Sequence, residues 1–193
     1  MSARGASGHF DPRLVSALEE QLTHRRRLLD AGATHVGWKL GMGDRESIGG
    51  EIAVGHLTSG TCLEPRSAYR TEREDAALHA DAEVAVELGT DVDPDGDAAS
   101  VRDGIAAYAA AVEIVDLTLL PGEPESVVVT NVFHRAVAFG PWREARPDGP
   151  VVGRLAARDR VITGSVAQVP LEPGNDVTAD FGALGAARLA VVG

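Results

Sequence analysis

The stretch Asp81-Ala82-Glu83-Val84-Ala85-Val86-Glu87-Leu88 constrains the fold more tightly than any other. Carboxylates alternate there with small or branched apolar residues, and a period of two predicts a β-strand. Asp81, Glu83 and Glu87 share one face, while Ala82, Val84, Val86 and Leu88 share the other. A second strand is predicted over 111–117, where Glu113 sits inside an even more apolar run. An unpaired carboxylate in such a setting protonates, meets a cation or faces water. Three carboxylates converging from two strands would make a hard, oxygen-only site for Mg²⁺, Mn²⁺ or Ca²⁺. The plainer alternative is a row of acids on the wet face of a half-exposed antiparallel sheet.

Composition narrows the setting. At 193 residues, 44% of them apolar and 24% charged, the chain reads as one soluble globular domain with a real core. A formal net charge of -11 argues against nucleic acid and anionic membrane as partners, and an anionic ligand would need a local cation. The single cysteine, Cys62, excludes an internal disulfide and suits a reducing compartment. Residues 1–10 lack a signal-like apolar core and no run is long enough to span a bilayer, so a cytoplasmic location is expected. Lysine and arginine total 18, yet Lys39 is the one lysine. Arginine stays charged at working pH, whereas a lysine in an apolar pocket can titrate, so Lys39 marks a position where an amine is wanted. Compositional chance in an arginine-biased chain is the competing explanation.

Along the chain, Asp11-Pro12 predicts a helix start, with Leu14, Val15, Leu18, Leu22 and Leu29 as its apolar stripe and Gly32 as its end. Arg25-Arg26-Arg27 reads as a solvated face. Lys39 lies in a short strand bounded by Gly37 and Gly41. Residues 41–74 read as a long glycine-punctuated passage with little regular structure, a binding loop or lid. His56 within it reads as a surface or hydrogen-bonded histidine rather than one facing a substrate. Asp91 to Gly96 imitates the opening of a calcium loop, but Arg102 stands where the bidentate glutamate belongs, so an acidic turn is expected. Ser100 is expected to cap a helix over 101–110, a short helix follows within 123–131, and a strand follows over 135–139. Asn131 and His134 fall at that last junction, where side chains often reach a site. Beyond a polar loop at 141–150, short strands are expected over 151–152, 161–163, 166–169, 177–181 and 188–192. This pattern predicts an α+β fold with mostly antiparallel or mixed sheets.

No dinucleotide fingerprint, phosphate-binding loop, nucleophile elbow or zinc-like histidine spacing is present. Four stretches in order nonetheless resemble the fumarylacetoacetate hydrolase superfamily, in particular its 2-keto-4-pentenoate hydratase and 4-oxalocrotonate decarboxylase branch. They are Gly37-Trp38-Lys39-Leu40-Gly41, Asp81-Ala82-Glu83-Val84-Ala85, Glu113-Ile114-Val115-Asp116, and Ile162-Thr163-Gly164-Ser165 with Gly174-Asn175-Asp176 and Phe181-Gly182. The resemblance spans residues 12 to 192 and marks a shortened member, lacking much of a helical segment between Gly140 and Arg160. It implies a mixed β-sheet roll with a few flanking helices, as one domain over 1–193 with an N-terminal helix at 11–32 and a catalytic core at 35–193. By the resemblance, Asp81, Glu83 and Glu113 would ligate Mg²⁺ (or Mn²⁺), and Lys39 would be the acid/base or charge-stabilising group beside the substrate. Leu40, Gly41, Asn131 and Ser165 would contact a small anionic 2-oxo or 2-hydroxydienoic acid. The implied chemistry is hydration or decarboxylation through a metal-stabilised enolate, in a homo-oligomer without nucleic-acid or membrane partners. Two alternatives stay open: hydrolysis of an acylpyruvate C–C bond, for which no convincing Glu–His pair is visible in the sequence, and a trimmed member that binds a ligand without turnover.

Overall fold

The computed structural model describes residues 11–41, 52–71, 73–93, 95–118, 123–144, 160–162 and 167–193. The expected strand at 151–152, most of the polar loop at 141–150, and Thr163, Gly164 and Ser165 lie outside the described residues.

Helix α1, Pro12–Asp30, starts where Asp11 accepts a hydrogen bond from the Arg13 amide with proline in the first turn. Its packed face is not the leucine stripe. Ala17 and Gln21 are the buried positions, whereas Val15 and Leu18 are 42% and 40% exposed. The reason is polar: the Gln21 amide donates to Val54 O (3.1 Å) and to Val128 O (2.6 Å), tying α1 to two elements at once.

The main sheet uses strands β1 (His35–Gly41), β2 (Ala53–Thr58), β3 (Cys62–Leu63), β5 (Leu78–Leu88), β6 (Ile105–Asp116), β7 (His134–Phe139), β8 (Arg160–Ile162) and β9 (Ala167–Pro170). Its order is β2-β1-β8-β5-β6-β7-β3, with β9 pairing the other end of β5. A second sheet holds β10 (Asp176–Asp180), β11 (Ala186–Val192) and β4 (Ala68–Arg70) in the order β10-β11-β4. Helix α2 (Ala98–Asp103) precedes β6, and α3 (Pro124–Val129) precedes β7. The pairing is mixed: β5, β6 and β7 run antiparallel, while β1 with β8, β3 with β7, and β11 with β4 are parallel.

Two expectations are corrected. The passage after Gly41 contains β2, whose residues are mostly buried, as well as β3 and β4. Alternation is hidden there because β2 is covered on both faces and carries a glycine at Gly55. The helix expected over 101–110 is α2 alone, capped by Asp97, whose carboxylate accepts from the Ala99 and Ser100 amides. From Ile105 onward the alanine-rich run is strand β6. Alanine favours helix intrinsically, but pairing with β5 along its whole length outweighs that preference.

Period-two alternation then assigns the faces of β5 and β6. Leu78, Ala80, Val112 and Ile114 pack with Ala136 and Ala138 of β7 against Ala179, Ala187, Leu189 and Val191 of the second sheet. The other face packs Ala85, Ala109, Ala111, Val137, Phe139 and Ile162 around Leu57. The acid-bearing face of β5 is therefore interior, not the wet side of a half-exposed sheet.

Candidate metal centre

In the β5–β6 ladder Asp81 lies directly opposite Glu113, with Glu83 one pleat further along the same face. The three residues are 7%, 2% and 1% exposed, and each offers a carboxylate oxygen within 4.8 Å of the others. Three buried acids this close repel one another unless positive charge is shared among them. Burial pushes the Asp81 carboxyl above its usual range and the Glu113 charge adds to that, against a hydrogen bond to Gln168 and the Lys39 charge.

Lys39 supplies the protein's own positive charge. It is 3% exposed, and its Nζ donates to Glu113 Oε1 at 2.5 Å and to Val132 O at 2.9 Å. Its stem lies over Gly55, its partner across the β1–β2 ladder. A Cβ at Gly55 would fall 2.7 Å from Lys39 Cγ and 2.9 Å from Asn131 Oδ1, so that position admits no side chain without moving the lysine.

His134 completes the cluster. Its Nδ1 lies 2.7 Å from the same Glu113 Oε1, and its Nε2 lies 2.9 Å from Thr61 Oγ1. Burial pushes Glu113 up, but the Lys39 charge and the His134 hydrogen bond outweigh it and hold the carboxyl below its usual range. Burial likewise holds His134 below its usual range, overriding the pull of Glu113. We therefore assign an ionised Glu113 and a neutral His134 that carries its proton on Nδ1 and accepts from Thr61 at Nε2.

The remaining expected contacts are less concentrated. Leu40 points to the opposite face of β1 and packs with Val86, Tyr108 and Leu184. Gly41 lies against Val132 and Ala53, where a Cβ would fall 2.8 Å from Val132 Cγ1. The Asn131 amide is spent on the main chain of β2: its Oδ1 accepts from His56 N at 2.7 Å and its Nδ2 donates to His56 O at 3.0 Å. Ser165 lies outside the described residues. His56 is only 3% exposed and is no surface histidine. Its side chain lines a cavity of about 710 Å³ between α1, β2 and the start of β7, together with His24, Thr61, Asn131 and His134. Neither Lys39 nor any of the three carboxylates borders that cavity.

His134 is the residue that the sequence pattern undervalued. A bulge between Ile114 and Val115 sets Val115 opposite His134 and leaves Arg135 as the extra residue. That shift turns His134 inward beside Glu113. Strict alternation from Val137, which faces Glu113, would have turned Arg135 inward instead. A Glu–His pair does exist, Glu113 with His134, but deep in the interior and not in a lid.

No family model matches the sequence, and no curated protein matches it. Solved structures do. The chain is similar to 4-oxalocrotonate decarboxylase from Pseudomonas putida G7, complexed with magnesium and adipate, at 19% identity and a TM-score of 0.78, covering 93% of this chain and 86% of that one. It is also similar to 5-carboxymethyl-2-hydroxymuconate delta-isomerase from Mycobacterium smegmatis, at 16% identity and a TM-score of 0.60, covering 82% and 78%. A fumarylacetoacetate hydrolase family protein from Yersinia pestis CO92 matches at 15% identity and a TM-score of 0.58, covering 82% and 93%. With its mixed sheets, few helices and these structural matches, the chain has the fumarylacetoacetate hydrolase fold.

Proposed function

We propose that the chain is a divalent-metal-dependent lyase, of hydratase or decarboxylase type, acting on a small 2-oxo or 2-hydroxydienoic acid. The observation that carries this reading is the buried triad of Asp81, Glu83 and Glu113 with the amine of Lys39 on one of its members. The donor set is all oxygen and anionic, which suits Mg²⁺ or Mn²⁺ rather than zinc. Asp81 Oδ1 and Glu113 Oε2 are buried and accept no hydrogen bond among the described residues, so the site has ligating capacity that the protein itself does not use. When bound, the ion supplies Lewis-acid polarisation of an oxo acid's oxygens. The 4-oxalocrotonate decarboxylase of the same fold, complexed with magnesium and adipate, supports both the metal and the reaction class by analogy.

The chain's own groups divide the remaining work. Lys39 places an ammonium group beside the ligand set, and among the described residues two of its three N–H donors are used, by Glu113 and Val132. Among the described residues the third is left for a substrate oxygen or for a carbon that gains a proton. Walls of Ala85, Ala111 and Val137 keep this end of the sheet dry and strengthen each charge interaction.

The test is turnover of oxaloacetate and of a 2-hydroxydienoate by Mg²⁺- or Mn²⁺-loaded protein. Glu83→Ala is expected to lower kcat/KM by about 10²–10³-fold, the cost of removing one group that stabilises developing charge, while Glu87→Ala retains activity. Metal uptake with no turnover of either substrate class would overturn the lyase assignment in favour of a ligand-binding role.

A further inference from the structure

We propose that His134 is a positioning residue for Glu113: together with Lys39 it engages Oε1, so that Oε2 alone is presented to the ion beside Asp81 and Glu83. The inference rests on the metal-centre reading above and deepens it.

A glutamate does not fix its own carboxylate plane, because its last torsion is broad and roughly two-fold. Left alone, Glu113 could offer either oxygen or both. The structure removes that freedom from outside. Two donors converge on one oxygen, at 2.5 Å from Lys39 and 2.7 Å from His134, and Oε2 accepts nothing from the described residues. The two donors differ in stiffness. Lys39 reaches Glu113 on a four-carbon stem, whereas the His134 ring is planar, buried and held at its far nitrogen by Thr61, 2.9 Å away. Thr61 is itself anchored through its main chain, its N–H donating to Thr58 O at 3.1 Å and its carbonyl accepting from the Val137 N–H at 2.9 Å. The chain Thr58–Thr61–His134–Glu113 therefore runs from β2 through the turn before β3 and across β7 to β6. Partners of this kind orient a ligating carboxylate, and losing one commonly costs about 10–100-fold in metal affinity.

The test is Mn²⁺ binding to the full chain, read from the electron paramagnetic resonance signal of free Mn²⁺, in wild type, His134→Leu, His134→Asn and Thr61→Val. Asparagine places an amide nitrogen as many bonds from Cα as Nδ1, so it can donate to Glu113 where leucine only fills space. His134→Leu is expected to weaken Mn²⁺ binding by about 10–100-fold, His134→Asn to stay within about 3-fold of wild type, and Thr61→Val to fall between. A folded His134→Leu with wild-type affinity overturns the proposal, as does a folded His134→Asn no better than leucine. Should His134→Leu fail to fold, Thr61→Val decides: unchanged affinity overturns the proposal, and weakened affinity supports it. Wild-type protein that takes up no Mn²⁺ overturns the metal-centre reading itself, an outcome distinct from any difference among the variants.

Discussion

Asp81 bears the electrostatic cost of the centre. It is buried, its carboxyl is pushed upward first by that burial and then by Glu113, and Lys39 lies on Glu113 rather than on it. Removing its charge should relieve the metal-free protein while disabling the site. A carboxyl whose pKa is raised on folding costs stability once it is ionised, and a gain of about 1 kcal/mol on removing that charge is about 2–4 °C in Tm for a chain of this size. Asp81→Asn is therefore expected to melt higher than wild type in chelator and to lack the upward shift expected of wild type with Mn²⁺, both measured by thermal unfolding. At this scale much was readable beforehand. Alternation assigned Asp81 and Glu83 to one face, and the solitary lysine marked Lys39. His134 was readable only as a junction residue; its inward direction was not, because it depends on a bulge, and a single-residue shift in register leaves no periodic trace.

The turn from α3 into β7 is the strained element. Asn131, Val132 and Phe133 have φ of 59°, 53° and 61°, three consecutive left-handed residues without a glycine. Each such residue costs about 1–2 kcal/mol, so the surroundings must hold the turn in place. The Asn131 amide pairs both main-chain groups of His56, the Val132 amide bonds to Val127 O at 2.9 Å, and the Val132 side chain packs with Ala53 and Val127. In return the turn presents the Val132 carbonyl to Lys39. Asn131→Ala removes two hydrogen bonds of about 1 kcal/mol each and leaves a left-handed alanine. An expected loss of about 3 kcal/mol is measurable from the urea unfolding midpoint. Elements of this sort resist sequence reading, since asparagine tolerates a positive φ but nothing in Val-Phe announces one. The strand β6 was half hidden for the opposite reason: its local preference pointed to helix, and only its partner strands explain it.

Across the whole molecule, α1 lies over the cavity that holds His56, His24 and the outer edge of His134. His56 is held down to a pKa of about 4, mainly by burial and then by its neighbours His134, His24 and the guanidinium of Arg25. An unfolded histidine takes up its proton near pH 6.5, so between the two values the unfolded chain binds more protons and stability rises with pH. The contribution is complete above about pH 6.5 and falls by about 3 kcal/mol as pH drops to about 4. His56→Leu should flatten that segment of the pH–stability curve relative to wild type, as measured by urea midpoints between pH 4 and 6.5. The α+β class and the later strands were predictable within a residue or two, from alternation and turn residues. The seam closed by α1 was not: its contacts run through Gln21 rather than through the leucines, and polar anchoring of that kind has no hydrophobic signature. Among the described residues no helix is long and apolar enough to cross a membrane.

The glycine beneath the lysine has an evolutionary corollary. Because the Lys39 methylenes rest where a Gly55 side chain would stand, positions 39 and 55 form a linked pair that can drift only together. Arginine shares those methylenes with lysine, so what would tell the two apart is the breadth of the head group where it meets Glu113 and Val132. The one ammonium, in a chain that spells its other cations as arginine, thus stands where a compact head group meets Glu113 and Val132 together.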